Sequence, residues 1–232
     1  MDAKMRTILS EMSRGAQLTF TNAEELYAEG DLLRRNGSMN RAVFLHQISL
    51  EECGKIEIIG AWATNLFLGG HVDVPEMTKA FRSHEAKNYA NAYFATPTAE
   101  ELEARERGDK RAAVEAFERF QQKFHNESNS AKNASLYVDF KNNRFSAPSE
   151  VIAEEMVIGI AAVNLYFLGL TGPKVRMLER MSKDDGALER TIKWFSERAA
   201  DLKAQKPEDA AGAMEALMQE VFSKYKTERG AE

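Results

Sequence analysis

Residues 41–68 read RAVFLHQISLEECGKIEIIGAWATNLFL. Apolar side chains recur there every three or four positions and never settle into alternation, so the run reads as a helix. Asn36-Gly37-Ser38 before it is a helix stop followed by an N-cap, and Gly69-Gly70 ends it, giving a helix over residues 39–68. At 100° per residue Leu45, Ile48, Ser49, Glu52, Ile56, Ile59 and Ala63 share one face. Glu52 therefore interrupts an apolar stripe. An unpaired buried carboxylate costs several kcal/mol, so Glu52 is expected to have a cation, a hydrogen-bond donor or a proton. Lys55 lies three residues on, and Glu51 is expected to pair locally with Lys55 for about 0.3–0.5 kcal/mol.

The same spacing continues through most of the chain and predicts an all-α fold. Helices are expected over 3–14, 20–36, 39–68, 75–95, 98–127, 148–170, 173–181, 185–204 and 208–227. Pro75, Pro97, Pro148, Pro173 and Pro207 each fall near an expected helix start, where a missing N–H costs nothing. Residues 128–147, SNSAKNASLYVDFKNNRFSA, keep no apolar period and are expected to form a long connection, with LYVDF as a short extended piece. One bundle is expected over residues 1–170. The charged stretch 171–232 is expected to add amphipathic helices packed on it.

Composition narrows the function classes. The chain has 232 residues, 44% of them hydrophobic, enough for a core. Its formal net charge of −5 means that any nucleic-acid contact must come from a local basic patch. Cys53 is the single cysteine, which excludes an intramolecular disulfide and fits a reducing cytoplasm. The first residues hold no apolar run of the secretory kind. The longest apolar run, VIGIAAVNLYFLGL at 157–170, is short for a bilayer and reads as a buried helix, so no membrane association is expected. Four histidines at 46, 71, 84 and 125 lack HExxH-type spacing. Glu154-Glu155 also lacks the Glu-x-x-His partner of helical di-metal sites, so neither metal nor cofactor is expected.

Residues 81–87 read FRSHEAK. On a helix over 75–95, Met77, Phe81, His84, Asn88 and Ala92 share a face, so His84 and Asn88 interrupt a core stripe, with Arg82 and Lys87 on its flanks. Taken singly, His84 reads as a satisfied core histidine and the cations as solvated side chains. Two central helices that each aim a polar group inward, plus Tyr137 and Asp139 in the polar stretch, together point to a polar functional site.

Four stretches, in this order, resemble the abortive-infection AbiV family, a branch of the HEPN superfamily of small helical proteins. They are the first helix with Asn22-Ala23 and Leu26 running into LLRRNGSMNRA, then SLEECGK at 49–55, FRSHEAK at 81–87 and SLYVDFKNNRFSAP at 135–148. The resemblance covers roughly residues 20–170. It implies an HEPN-like helical bundle and a homodimer. It also implies a phage-defence role as a metal-independent ribonuclease that blocks translation, with RNA and a phage or host regulatory protein as partners.

The superfamily's signature is Arg, four to six residues, then His. FRSHEAK places one residue between Arg82 and His84, whereas Arg41 and His46 fit the spacing, so both pairs are candidates. RNA cleavage without metal asks for a proton carrier and for cations on the phosphate, which suit His and Arg or Lys. His84 is the expected proton carrier, Arg82 and Lys87 the phosphate cations, and Glu52 the residue that holds His84 or a cation. Lys55, Asn88, Tyr137 and Asp139 are expected to line the same pocket. A two-fold dimer would supply a second histidine. The competing reading is a non-catalytic helical protein that sequesters a host or phage component.

Overall fold

The computed structural model describes residues 3–205. Its elements, in chain order, are α1 (Ala3–Arg35), α2 (Met39–Phe67), α3 (Val74–Arg82), α4 (His84–Ala92), α5 (Ala99–Glu106), α6 (Lys110–Leu136), strands β1 (Asp139–Lys141) and β2 (Arg144–Ser146), α7 (Pro148–Val151), α8 (Glu154–Lys183) and α9 (Asp185–Gln205). The all-α expectation holds, with one two-stranded ribbon added. The helix expected over 208–227 lies outside the described residues.

α2 is the axis of the bundle. α1 and α8 pack on one side of it, and α4 and α6 on the other. The main core lies towards the C-terminal half of α2, where Leu9, Met12 and Ala16 of α1 meet Ile56, Ile59, Ala63 and Phe67 of α2, Val175, Leu178 and Met181 of α8, and Leu188 and Phe195 of α9. Full burial of one such side chain contributes roughly 1.5–3 kcal/mol.

Several boundaries differ from the expected ones, each for a local reason. α1 runs unbroken through residues 15–19. Its buried residues Leu9, Met12, Ala16, Thr19 and Ala23 keep one stripe across Gly15, and burial outweighs the roughly 1 kcal/mol cost of that glycine. The helix expected over 75–95 breaks at Ser83, which turns extended and caps α4 by accepting a hydrogen bond from the Ala86 N–H. The helix expected over 98–127 breaks at Gly108, whose φ of 70° requires glycine, and Asp109 caps α6.

Two expected helices merge in α8, with Pro173 inside it. The carbonyl that Pro173 leaves free belongs to Gly169, which faces solvent, where water can take up its hydrogen bond. The expected boundary at residue 170 therefore falls inside one continuous helix. Its C-terminal turns belong to the same core as α1 and α2. Nor is the apolar part of α8 fully buried: Ile158, Val163, Leu165 and Tyr166 face outward. By length and composition alone α8 would be long and apolar enough to cross a membrane.

The expected connection over 128–147 is the largest correction. Its first half continues α6 to Leu136, and its second half is the β1–β2 ribbon. The inward positions of that last stretch of α6 are Ser128, Lys132 and Ser135. They keep helical spacing, but in polar residues, because the interior they face is polar.

Candidate functional site

The polar interior begins with Glu51, on the face of α2 that looks at α4 and α6. Its side chain is 4% exposed and meets three cationic or titratable groups. Lys87 Nζ of α4 donates to Oε2 at 2.8 Å, and Lys132 Nζ of α6 donates to Oε1 at 2.7 Å. His84 Nδ1 lies 2.6 Å from Oε2 and 3.2 Å from Lys132 Nζ. Both lysines are buried, whereas the His84 side chain is 53% exposed at the first position of α4. The cluster is thus a buried carboxylate clamped by two ammonium groups, with one imidazole leading from it to solvent.

Burial alone would raise the Glu51 pKa. Hydrogen bonds from Lys132, Lys87 and His84, and the charge of Lys87, outweigh that and hold the carboxyl below the ordinary glutamate range. An ionised Glu51 accepts the Nδ1–H of His84, which fixes the tautomer and leaves Nε2 as the free lone pair. Close approach of α4 makes this geometry reachable. A Cβ on Gly54, one turn after Glu51, would collide with the backbone carbonyl of Lys87. A glycine there lets the α4 backbone lie against α2.

A second polar layer sits one turn away on each helix. Ser128 Oγ donates to Gln47 Oε1 at 2.7 Å and lies 3.5 Å from Asn88 Oδ1. Asn88 Nδ2 is 3.2 Å from His125 Nδ1. Asn91, a further turn along α4, donates to the Leu50 carbonyl at 2.7 Å. These neutral contacts hold α2, α4 and α6 in register around the charged layer.

The expected residues divide between those the fold gathers and those it keeps apart. His84 and Lys87 meet at Glu51, and Asn88 lies in the adjoining layer. Lys87 is committed to the carboxylate inside the bundle, not placed at the surface for phosphate. Arg82 is exposed at the last turn of α3, two residues before His84. Glu52 does not hold His84. It pairs with Lys55 on its own helix at 2.5 Å, so Glu51 and Glu52 exchange their expected roles. Tyr137, at the C-cap of α6, and Asp139, at the start of β1, both lie exposed, and Asp139 accepts from the Phe140 N–H.

The alternative pair does not converge either. Arg41 is exposed, whereas His46 is fully buried, its ring edge-on to Tyr27 and packed against Gly30. Neither ring nitrogen of His46 has a hydrogen-bond partner, and burial lowers its pKa, keeping it neutral. Five residues apart on one helix, the two side chains point to different sides. Two residues of the cluster were not among the expected site residues, Glu51 and Lys132. The signal for Lys132 was there, in Ser128, Lys132 and Ser135 at helical spacing. Among the described residues no cluster of His, Cys, Asp and Glu is arranged to hold a metal ion.

Fold and site together define a helical bundle whose titratable groups converge on one carboxylate of its central helix. Residues 11–166 match the AbiV family of HEPN domains, so the chain belongs to that family and is a HEPN protein of the abortive-infection type. It is also similar to the uncharacterized protein y4gJ of Sinorhizobium fredii (strain NBRC 101917 / NGR234), with 42% identity over 120 residues. That match covers 50% of this chain and 62% of the relative's length. No solved structure matches the chain.

Proposed function

We propose that this abortive-infection protein is a metal-independent endoribonuclease that acts in the cytoplasm and blocks translation. The observation that supports it is the pairing of a half-exposed imidazole with a buried, ionised Glu51. In this reading His84 Nε2 takes the proton of a ribose 2′-hydroxyl, and the imidazolium formed keeps its Nδ1–H on Glu51. The 2′-oxygen attacks the adjacent phosphorus and the bond to the 5′-oxygen breaks, leaving a 2′,3′-cyclic phosphate and a 5′-hydroxyl whose proton comes from an imidazolium, that of a second copy. Arg82 is the nearest cation in sequence that is free of the cluster, and it suits the charge growing on the phosphate. Lys87 and Lys132 act as positioning residues, through Glu51.

One imidazole serves one proton transfer at a time, which favours a homodimer in which a second copy adds another. The outward face of α8 suits a second copy. It carries no charged residue from Met156 to Pro173 and exposes Ile158, Val163, Leu165 and Tyr166. A two-fold axis sets a patch against itself, so a face without charge meets no like-charge repulsion there. Leu165→Glu is expected to give a monomer in analytical ultracentrifugation. Release of the activity would then fall to a phage or host protein.

The test is RNA cleavage by purified protein in EDTA. The wild type is expected to cleave, and His84→Ala to lose a factor of about 10²–10⁴. The commitment of both buried lysines to Glu51, together with the net charge of −5, favours a second reading, a non-catalytic protein that sequesters a partner. Folded wild-type protein that cleaves no RNA would decide for it.

A further inference from the structure

The β1–β2 ribbon leaves its aromatic side chains in solvent. Phe140 and Phe145 face each other across the two strands, with ring centroids 4.7 Å apart. Their exposures are 55% and 70%, and Val138, just before β1, is also exposed. The other face pairs Lys141 directly opposite Arg144, with Asp139 Oδ2 3.8 Å from Lys141. Two cations in directly opposed positions are unfavourable in an isolated ribbon. An anion near them would relieve that repulsion. The two-residue turn is of the tight hairpin kind, with Asn142 and Asn143 both at positive φ, 51° and 59°.

Charge sets this segment apart from the rest of the molecule. Residues 128–147 carry Lys132, Lys141 and Arg144 against the single acid Asp139, in a chain whose net charge is −5. Position links it to the site. β1 follows α6 after two residues, and the path from Lys132 to Phe140 spans at most about 20 Å of backbone.

We propose that this ribbon is a stacking platform for unpaired bases of single-stranded RNA, held beside the His84 site. Phe140 and Phe145 stack on bases, and Lys141 and Arg144 face the phosphates on either side. The pairing of aromatic surface with cations is what single-stranded nucleic acid requires, since every base offers a π-face and every linkage a charge. The proposal rests on the reading of the protein as an RNA enzyme, but its test is the change in binding when the ribbon alone is altered, read apart from cleavage.

The experiment is fluorescence anisotropy with a labelled single-stranded 12-nucleotide RNA of mixed sequence and full-length His84→Ala protein. The platform predicts at least tenfold weaker binding for Phe140→Ala/Phe145→Ala, with the melting temperature unchanged. Phe140→Tyr/Phe145→Tyr keeps the aromatic faces and should bind as the parent does. The same RNA annealed to its complement should bind at least tenfold more weakly, since its bases are already stacked. Unchanged affinity in the alanine variant overturns the platform, as does an absence of binding by the parent protein. A fall in sedimentation coefficient accompanying the alanine substitutions also overturns it, because the ribbon would then be a contact between copies. Cleavage in EDTA by protein with an intact His84 judges the enzyme reading separately from all of these.

Discussion

α2 carries a buried carboxylate on each of two sides, and the two sites differ in ways that separate scaffold from site. Towards α8, Glu57 meets Lys174 and nothing of the pair reaches far into solvent, for their side chains are 3% and 11% exposed. The Lys174 ammonium also lies over the Phe94 ring. Burial pushes the Glu57 pKa up and the Lys174 pKa down, so here the fold works against both charges. Close by, burial pushes the Cys53 thiol up to about 12, which leaves it unreactive. Towards α4 and α6, one carboxylate faces two lysines and an imidazole, and its pKa moves down. Equal charges in a sealed place fix register. The open side instead gathers an excess of cation around one acid and leads to solvent through His84, the arrangement on which the proposed chemistry rests.

The strongest way to break this comparison is to remove the acid on the open side. Glu51→Ala leaves Lys87 and Lys132 buried without a counter-charge and is expected to cost about 3–5 kcal/mol in urea unfolding, with loss of RNA cleavage. A variant as stable as the wild type would end the case for a charge-clamped site. The pH dependence follows from the direction of the Glu51 shift. Its folded pKa lies below the unfolded value of about 4.3, so its stabilisation is complete above that value. As pH falls through the lower folded value, the stabilisation is lost. Glu51→Gln should flatten this acid limb in unfolding measured from pH 5 down to pH 2.

Glu57→Ala is expected to cost a similar amount by stranding Lys174, and there the similarity ends. Replacing both groups, Glu57→Met/Lys174→Met, should be neutral or stabilising by about 1–4 kcal/mol. Cleavage should survive the double change. Loss of cleavage with retained stability would mean that the sealed pair is part of the site. Gly54→Ala sharpens the contrast from the backbone side. Its Cβ would push α4 away from Glu51, at about 1–3 kcal/mol, with activity falling further than the melting temperature alone explains. His84→Ala should move stability least, within about 0.5 kcal/mol, because the ring is half exposed. Its large effect belongs to cleavage alone, and a steep drop in melting temperature would show His84 to be a packing residue.

The ribbon variants of Phe140 and Phe145 bear on the open side as well, since they should alter RNA affinity and leave both buried carboxylates as they are.

What could be read from the sequence follows the same division. Helices with one dry face were legible as helix, as α1 is through Leu9, Met12, Ala16 and Ala23, although the expectation divided it at residues 15–19. The phase of α2 could not be read that way. It is buried on nearly every side, so no single stripe tells which of Glu51 and Glu52 faces α4. The end of α6 hid for the opposite reason: its inward residues are Ser128, Lys132 and Ser135, and a search for apolar period passes over them. His84 was found through its neighbours in FRSHEAK, yet its expected place in a core stripe was wrong, because Ser83 breaks the helix and puts the ring at the surface.

The sequence by itself determined that the chain is helical, where α2 starts and ends, and that His84 and Lys87 lie within one turn of each other, because these follow from local spacing and caps. Only the tertiary structure decided that Glu51 is the acid, that Lys132 joins it and that His46 is sealed away. Burial of a charge is settled by which partners arrive from other helices, and in a helix surrounded on all sides the order of residues along the chain does not say from which direction they come.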